Sequence, residues 1–123
     1  MKNVKIKGIP ENESYLFATI GTISYRAGLL RLPQQKRVKI VLTEKGLYLK
    51  IHGVLIDTTG AIMLSIEDFE SLSITKRTSK KGQFRIAERN GQVITYILKQ
   101  EECDDIIKKI KELNPNMHII ENI

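Results

Sequence analysis

The stretch that most restricts what this chain can fold into is QEECDDIIKKIKELN, residues 100–114, closed by Pro115. Its apolar residues Cys103, Ile106, Ile107, Ile110 and Leu113 recur at the spacing that puts them on one face of an α-helix. Glu101, Glu102, Asp104 and Asp105 fill its early turns and Lys108, Lys109 and Lys111 its later ones, so charge complements the helix macrodipole at both ends. A lone helix of this length is marginal in water, and its apolar stripe needs a surface to cover. That surface is a sheet or a second chain. The sheet is favoured because the preceding residues read mainly as short strands.

The strand pattern is a meander. Residues 15–25, YLFATIGTISY, are rich in β-branched and aromatic side chains and form the first core strand, with Gly21 as a candidate bend or bulge. Residues 26–36 read as a connector, in which Pro33 argues against a central strand. Val38, Ile40 and Leu42 alternate with Arg37, Lys39 and Val41; past a turn at 43–46, Leu47, Leu49 and Ile51 alternate with Tyr48, Lys50 and His52. Period two on both sides of a turn predicts an antiparallel hairpin with one buried face. Shorter strands at 54–56 and 61–66 flank a turn at 57–60. Another runs from Phe69 to about Thr78, and a turn at 79–82 leads to a strand at 83–88. Asn90-Gly91 predicts a type I′ turn into a strand at 92–98 that runs directly into the helix. The reading is mainly β: about seven antiparallel strands forming a sheet or partly open barrel, capped by one C-terminal amphipathic helix.

With 123 residues the chain fits one domain. Its expected core is 15–114, with an apolar tail at 115–123. Cys103 is the only cysteine, so no intrachain disulfide can form and nothing implies an oxidising compartment. Residues 1–13 lack the apolar centre of a signal peptide, and no run of about 18 apolar residues occurs. The expectation is a cytoplasmic protein, free or peripheral to a membrane. Its Lys, Ile and Asn bias suits an AT-rich bacterial or phage genome.

Charge is uneven. There are 20 Lys and Arg against 14 Asp and Glu, a net of +6, and the first 50 residues carry ten of the cations against Glu11, Glu13 and Glu44. A basic half points to an anionic partner, whether a phospholipid surface, a nucleic acid or an acidic protein. Catalytic patterns are absent: there is no P-loop, GxGxxG, GxSxG or HExxH. Glu67, Asp68 and Glu70 have no nearby His or second carboxylate motif and read as a solvated turn, while His52 and His118 lack ligand spacing. Cys103 belongs to the apolar stripe and reads as a small buried hydrophobe. No enzyme activity, cofactor or metal is expected.

The order of strands and helix resembles the pleckstrin-homology-like fold, and the wording is closest to its GRAM and bacterial PH-domain branches. Leu42-Thr43-Glu44-Lys45-Gly46-Leu47-Tyr48-Leu49-Lys50 is similar to their "lT-x-x-x-L-y-l-k" hairpin. Residues 62–72, IMLSIEDFESL, resemble their "i-x-x-x-d-i-x-x-i" segment, and Phe84-Arg85-Ile86 with Gly91 their later hairpin. The likeness spans roughly residues 15–113, and it departs where many PH domains place a Trp in the helix, since this chain has none. It implies a non-enzymatic binding module engaging a protein partner, in some members by self-association, or an anionic phospholipid surface.

Two basic clusters and the tail are the candidate sites. Arg26, Arg31, Lys36, Arg37 and Lys39 surround the connector that the resemblance places at a lipid-binding loop. Lys76, Arg77, Lys80, Lys81 and Arg85 lie on a later hairpin that could join the same face. At about 1 kcal/mol per cation near an anionic membrane, five supply roughly 5 kcal/mol, so one loop alone binds weakly. Leu29, Leu30 and Leu32 either insert at the interface or pack as core, and the cations otherwise serve as a solvated surface. Met117, Ile119, Ile120 and Ile123 make the tail apolar enough to require cover, as an edge strand on its own domain or on another copy in a homo-oligomer. A nucleic-acid partner for the basic face is the alternative, with few aromatics and no RRM, KH or helix-turn-helix signature in its favour.

Overall fold

A computed structural model describes residues 9–27, 32–51 and 62–121. The chain runs through β1 (Tyr15–Ala27), β2 (Leu32–Thr43), β3 (Gly46–Ile51) and β4 (Ile62–Ser65) to a single 3-10 turn at Ile66–Asp68. It continues as β5 (Phe69–Arg77), β6 (Lys81–Glu88), β7 (Val93–Lys99), α1 (Gln100–Leu113) and β8 (His118–Glu121). The eight strands among the described residues form one open sheet in the order β4-β3-β2-β1-β7-β6-β5-β8. Neighbours pair antiparallel except β8, which lies parallel to β5. The architecture is therefore the expected mainly-β sheet with one C-terminal helix.

Strand parity decides where the core lies. Phe17, Ile23, Val38, Ile40, Leu42, Leu47, Leu49, Phe84, Ile86, Ile94, Tyr96 and Leu98 all project to one side and are buried. The helix closes that side with Cys103, Ile106 and Ile110 fully buried and with Ile107 and Leu113 packed at the margin, as the helical spacing requires. Phe84 and Tyr96, directly paired across β6 and β7, stack with ring centroids 5.0 Å apart. The helix comes so close to β6 that a Cβ on Gly82 would stand 2.8 Å from both Cβ and Sγ of Cys103, so the sheet needs a residue without a side chain there. Burial in that contact, with Asp104 beside it, pushes the Cys103 thiol up to about 11 and keeps it unreactive.

Both ends of α1 are tied to the sheet. The Gln100 N–H donates to the Lys80 carbonyl at 3.0 Å, and Thr19 Oγ1 donates to Glu102 Oε2 at 2.5 Å. At the far end the Asn114 amide donates to the carbonyls of Ile66 and Phe69 at 3.1 and 3.3 Å. Residues 9–14 lie on the opposite side of the sheet. Ile9 packs on Ala18, Val41 and Tyr48, and Glu13 accepts hydrogen bonds from Thr43 Oγ1 at 2.7 Å and from the Tyr48 hydroxyl at 2.8 Å. Burial, reinforced by that carboxylate, raises Tyr48 to about 12.

Several sequence readings change. The connector at 26–36 is mostly strand: β1 extends to Ala27, β2 begins at Leu32, and Pro33 pairs with Arg26. Pro33 is tolerated because the β2–β3 pairing begins only at Val38, leaving the other side of Pro33 without a described ladder partner. Asn90-Gly91 is not a two-residue type I′ turn. Gly91 N–H donates to the Glu88 carbonyl and Gly91 takes φ 90°, which makes a three-residue loop ending in a left-handed glycine. Asn90 instead caps the loop, its side-chain oxygen accepting the Gln92 N–H at 2.8 Å. The strand expected at 54–56 and the turn at 57–60 lie outside the described residues.

Candidate anion-docking face

The other side of the sheet carries the basic residues. Register fixes the rows: Lys76 pairs with Gln83, Gln83 with Ile97, Ile97 with Thr22, and Thr22 with Arg37. A second row links Ser73, Arg85, Thr95, Ser24 and Gln35, and Lys81 pairs with Lys99 as Ile20 pairs with Lys39. Paired residues on neighbouring strands point to the same face. Arg37, Lys39, Lys76, Lys81, Arg85 and Lys99 therefore share the outer face with hydroxyl and amide side chains. Across β2, β1, β7 and β6 no outward position in these rows is Asp or Glu. Five strands at about 4.8 Å make the Lys76-to-Arg37 row roughly 19 Å wide.

The expected site residues divide. Arg26, Arg37 and Lys39 from the first cluster and Lys76 and Lys81 from the second lie on this face, though about 40 to 55 positions of sequence separate the two groups. Lys36, directly after Gln35 and before Arg37, pairs with Ile23 and takes the opposite parity. Arg77 turns toward the helix and holds Asp104 at 2.8 Å. Lys80 sits in the β5–β6 turn, where it lines a cleft of about 270 Å³ with Lys76 and Lys81. Arg31 and Ile123 lie outside the described residues. Arg37 donates to Thr22 Oγ1 at 3.2 Å across the strands, while Lys39, Lys76, Lys81, Arg85 and Lys99 have no ion pair among the described residues.

A groove of about 900 Å³ opens at one end of the face, beside the β6–β7 loop. Arg26 and Arg85 line it with Ser24, Thr95, Asn90 and Gln92. Guanidinium groups, hydroxyls and amides with no carboxylate make an acceptor-seeking surface suited to an anion. Lys99 escaped the sequence reading. The alternation of residues 92–98 already assigned it to the polar side, but only the β6–β7 register shows that it stands beside Lys81.

The tail residues lie on their own sheet. Met117 is buried in the main core, Ile119 packs against it opposite Leu72, and Ile120 is half-buried on the outer side. Among the described residues no group of three His, Cys, Asp or Glu is placed to hold a metal ion, and no helix is long and apolar enough to cross a membrane.

No family model matches the chain, and no curated protein matches it. Solved structures do. The hSac2 domain of human phosphoinositide phosphatase Sac2 aligns with TM-score 0.61 at 14% identity over 94% of this chain and 81% of that one. The Slm1-PH domain, solved in complex with inositol-4-phosphate, aligns with TM-score 0.51 at 18% identity over 85% of this chain and 98% of that one. This chain has the pleckstrin-homology-like fold. A structure of the Spt16D Pob3N heterodimer also aligns, with TM-score 0.53 at 17% identity over 87% of this chain and 57% of that one. At these identities the likeness speaks for the PH-like fold alone.

Proposed function

We propose that this PH-like chain is a non-catalytic module that docks on an anionic membrane surface through the outer face of its sheet. The observation that carries the reading is the register, which gathers Arg37, Lys39, Lys76, Lys81, Arg85 and Lys99 on one face, in rows across β2, β1, β7 and β6 that hold no Asp or Glu. At about 1 kcal/mol per cation near an anionic leaflet, a face of this size supplies several kcal/mol where a single loop supplies too little. The Slm1-PH domain bound to inositol-4-phosphate lends support by analogy of fold. Vesicle co-sedimentation over increasing phosphatidylserine content tests it. Binding should rise steeply with anionic lipid and fall with salt; equal binding to neutral vesicles, or none at low salt, overturns it.

Protein partners are the second reading, supported by exposed Ile62 and Met63 at the sheet's β4 end. An exposed apolar strand at a sheet edge is a place where another strand can add.

A further inference from the structure

The two edges of the sheet are unlike. At one, β8 carries His118 and Glu121 as its exposed ends. At the other, β4 reads Ile-Met-Leu-Ser, with no charge and no proline. Ile62 is 64% and Met63 42% exposed, and Ile51 on adjacent β3 is also exposed. Natural sheets blunt a free edge with charge, proline or a covering segment, and β4 itself carries neither of the first two. Its backbone pairs with β3 on one side and with no described strand on the other.

We infer that β4 pairs with β4 of a second copy of this chain, antiparallel and about a two-fold axis. An open backbone edge accepts only an extended strand, and an uncharged one opposes it without leaving a buried charge unpaired. β4 satisfies both conditions for itself. Leu64 and Ile62 face the core side through their pairing with Leu47 and Leu49, while Met63 faces outward opposite Tyr48. The two-fold register with Met63 opposite Met63 of the second copy sets Ile62 opposite Leu64, so apolar side chains meet on both faces. Repulsion does not forbid it. Lys50 is the nearest outward cation among the described residues, one strand in and two positions along from Tyr48, so three strand spacings across and four residues along set the two Lys50 positions about 20 Å apart, beyond the screening length of about 8 Å in physiological salt.

Geometry also joins this contact to the proposed function. Opposed residues of an antiparallel pair point to the same face, so the outer faces of both copies become continuous on one side of the joined sheet. Two weak faces then bind one membrane with avidity. The inference rests on the membrane reading for that consequence, while the contact itself stands apart from it.

Sedimentation velocity of the full chain from about 1 to about 100 µM should show a shift from one to two copies, and Met63→Lys should remain monomeric throughout. Met63→Cys should form a disulfide-linked dimer on mild oxidation, because its Cβ opposes its own counterpart; Ile62→Cys, out of line with its counterpart, should not, and Cys103 is buried. A wild type that stays monomeric, a Met63→Lys dimer, or equal crosslinking at both positions overturns the inference. Vesicle binding separates the two ideas. A monomeric wild type that still binds anionic vesicles overturns the β4 contact and leaves the docking face, whereas a dimer that ignores vesicles does the reverse.

Discussion

Phe84 and Arg85 are neighbours in sequence and opposites in role. Phe84 is fully buried and stacked on Tyr96, whereas Arg85 is exposed beside Thr95 on the outer face. The same contrast runs along β2, where Val38 and Ile40 enter the core and Arg37 and Lys39 leave it. One backbone thus supports two independent surfaces. The inner one is held by burial and tolerates little change, and the outer one, beyond the patch of Ala18, Val41 and Tyr48 that residues 9–14 cover, contributes little to stability and is free to carry charge.

Substitutions on the two sides sharpen this contrast in order of size. Phe84→Ala should cost about 3–5 kcal/mol of unfolding free energy by denaturant titration, because it opens a cavity beneath the helix and leaves Tyr96 without its stacking partner. Glu13→Ala should cost about 1–3 kcal/mol, since the hydroxyls of Thr43 and Tyr48 lose their shared acceptor where residues 9–14 cover the sheet. Arg85→Glu should stay within about 0.5 kcal/mol of wild type in the same titration while weakening anionic-vesicle binding. A large stability loss in Arg85→Glu would break the division between the faces.

A pH-dependent test concerns the inner face alone. Burial and the nearby Asp68 raise Glu88 above its ordinary value of 4.5, and its Oε2 has no partner among the described residues. A carboxyl raised in the folded state gives stability that is full below pH 4.5 and is lost as pH rises through the folded value. Glu88→Gln should therefore flatten the loss of melting temperature above that pH and change little below it. An unchanged slope would place Glu88 in a better-solvated setting than its burial indicates.

Much of this division is legible in the sequence. The stripe of α1 named the buried residues Cys103, Ile106 and Ile110, and period two in residues 37–51 separated Val38 from Arg37. The limits were non-local. Nothing in residues 26–39 shows which residues of β5 and β6 stand in their rows, because β7 intervenes and its register is set by tertiary packing. Charge clustering along the chain consequently grouped Lys36 with Arg37 and Arg77 with Lys76, although the pleat and the Arg77–Asp104 pair send them to different places. The three-residue Glu88–Gln92 loop was hidden for another reason, since Asn-Gly suits several turn types and flanking strand register chooses among them.

The most direct measurement compares two adjacent lysine and arginine positions by flotation on anionic vesicles at physiological salt. Arg37→Glu reverses a charge on the proposed docking face, and Lys36→Glu reverses the same charge on the opposite side of the same strand. The account predicts that Arg37→Glu lowers vesicle affinity on the order of tenfold and that Lys36→Glu lowers it far less. Equal losses, or a greater loss for Lys36→Glu, would contradict the outer sheet face as the docking surface.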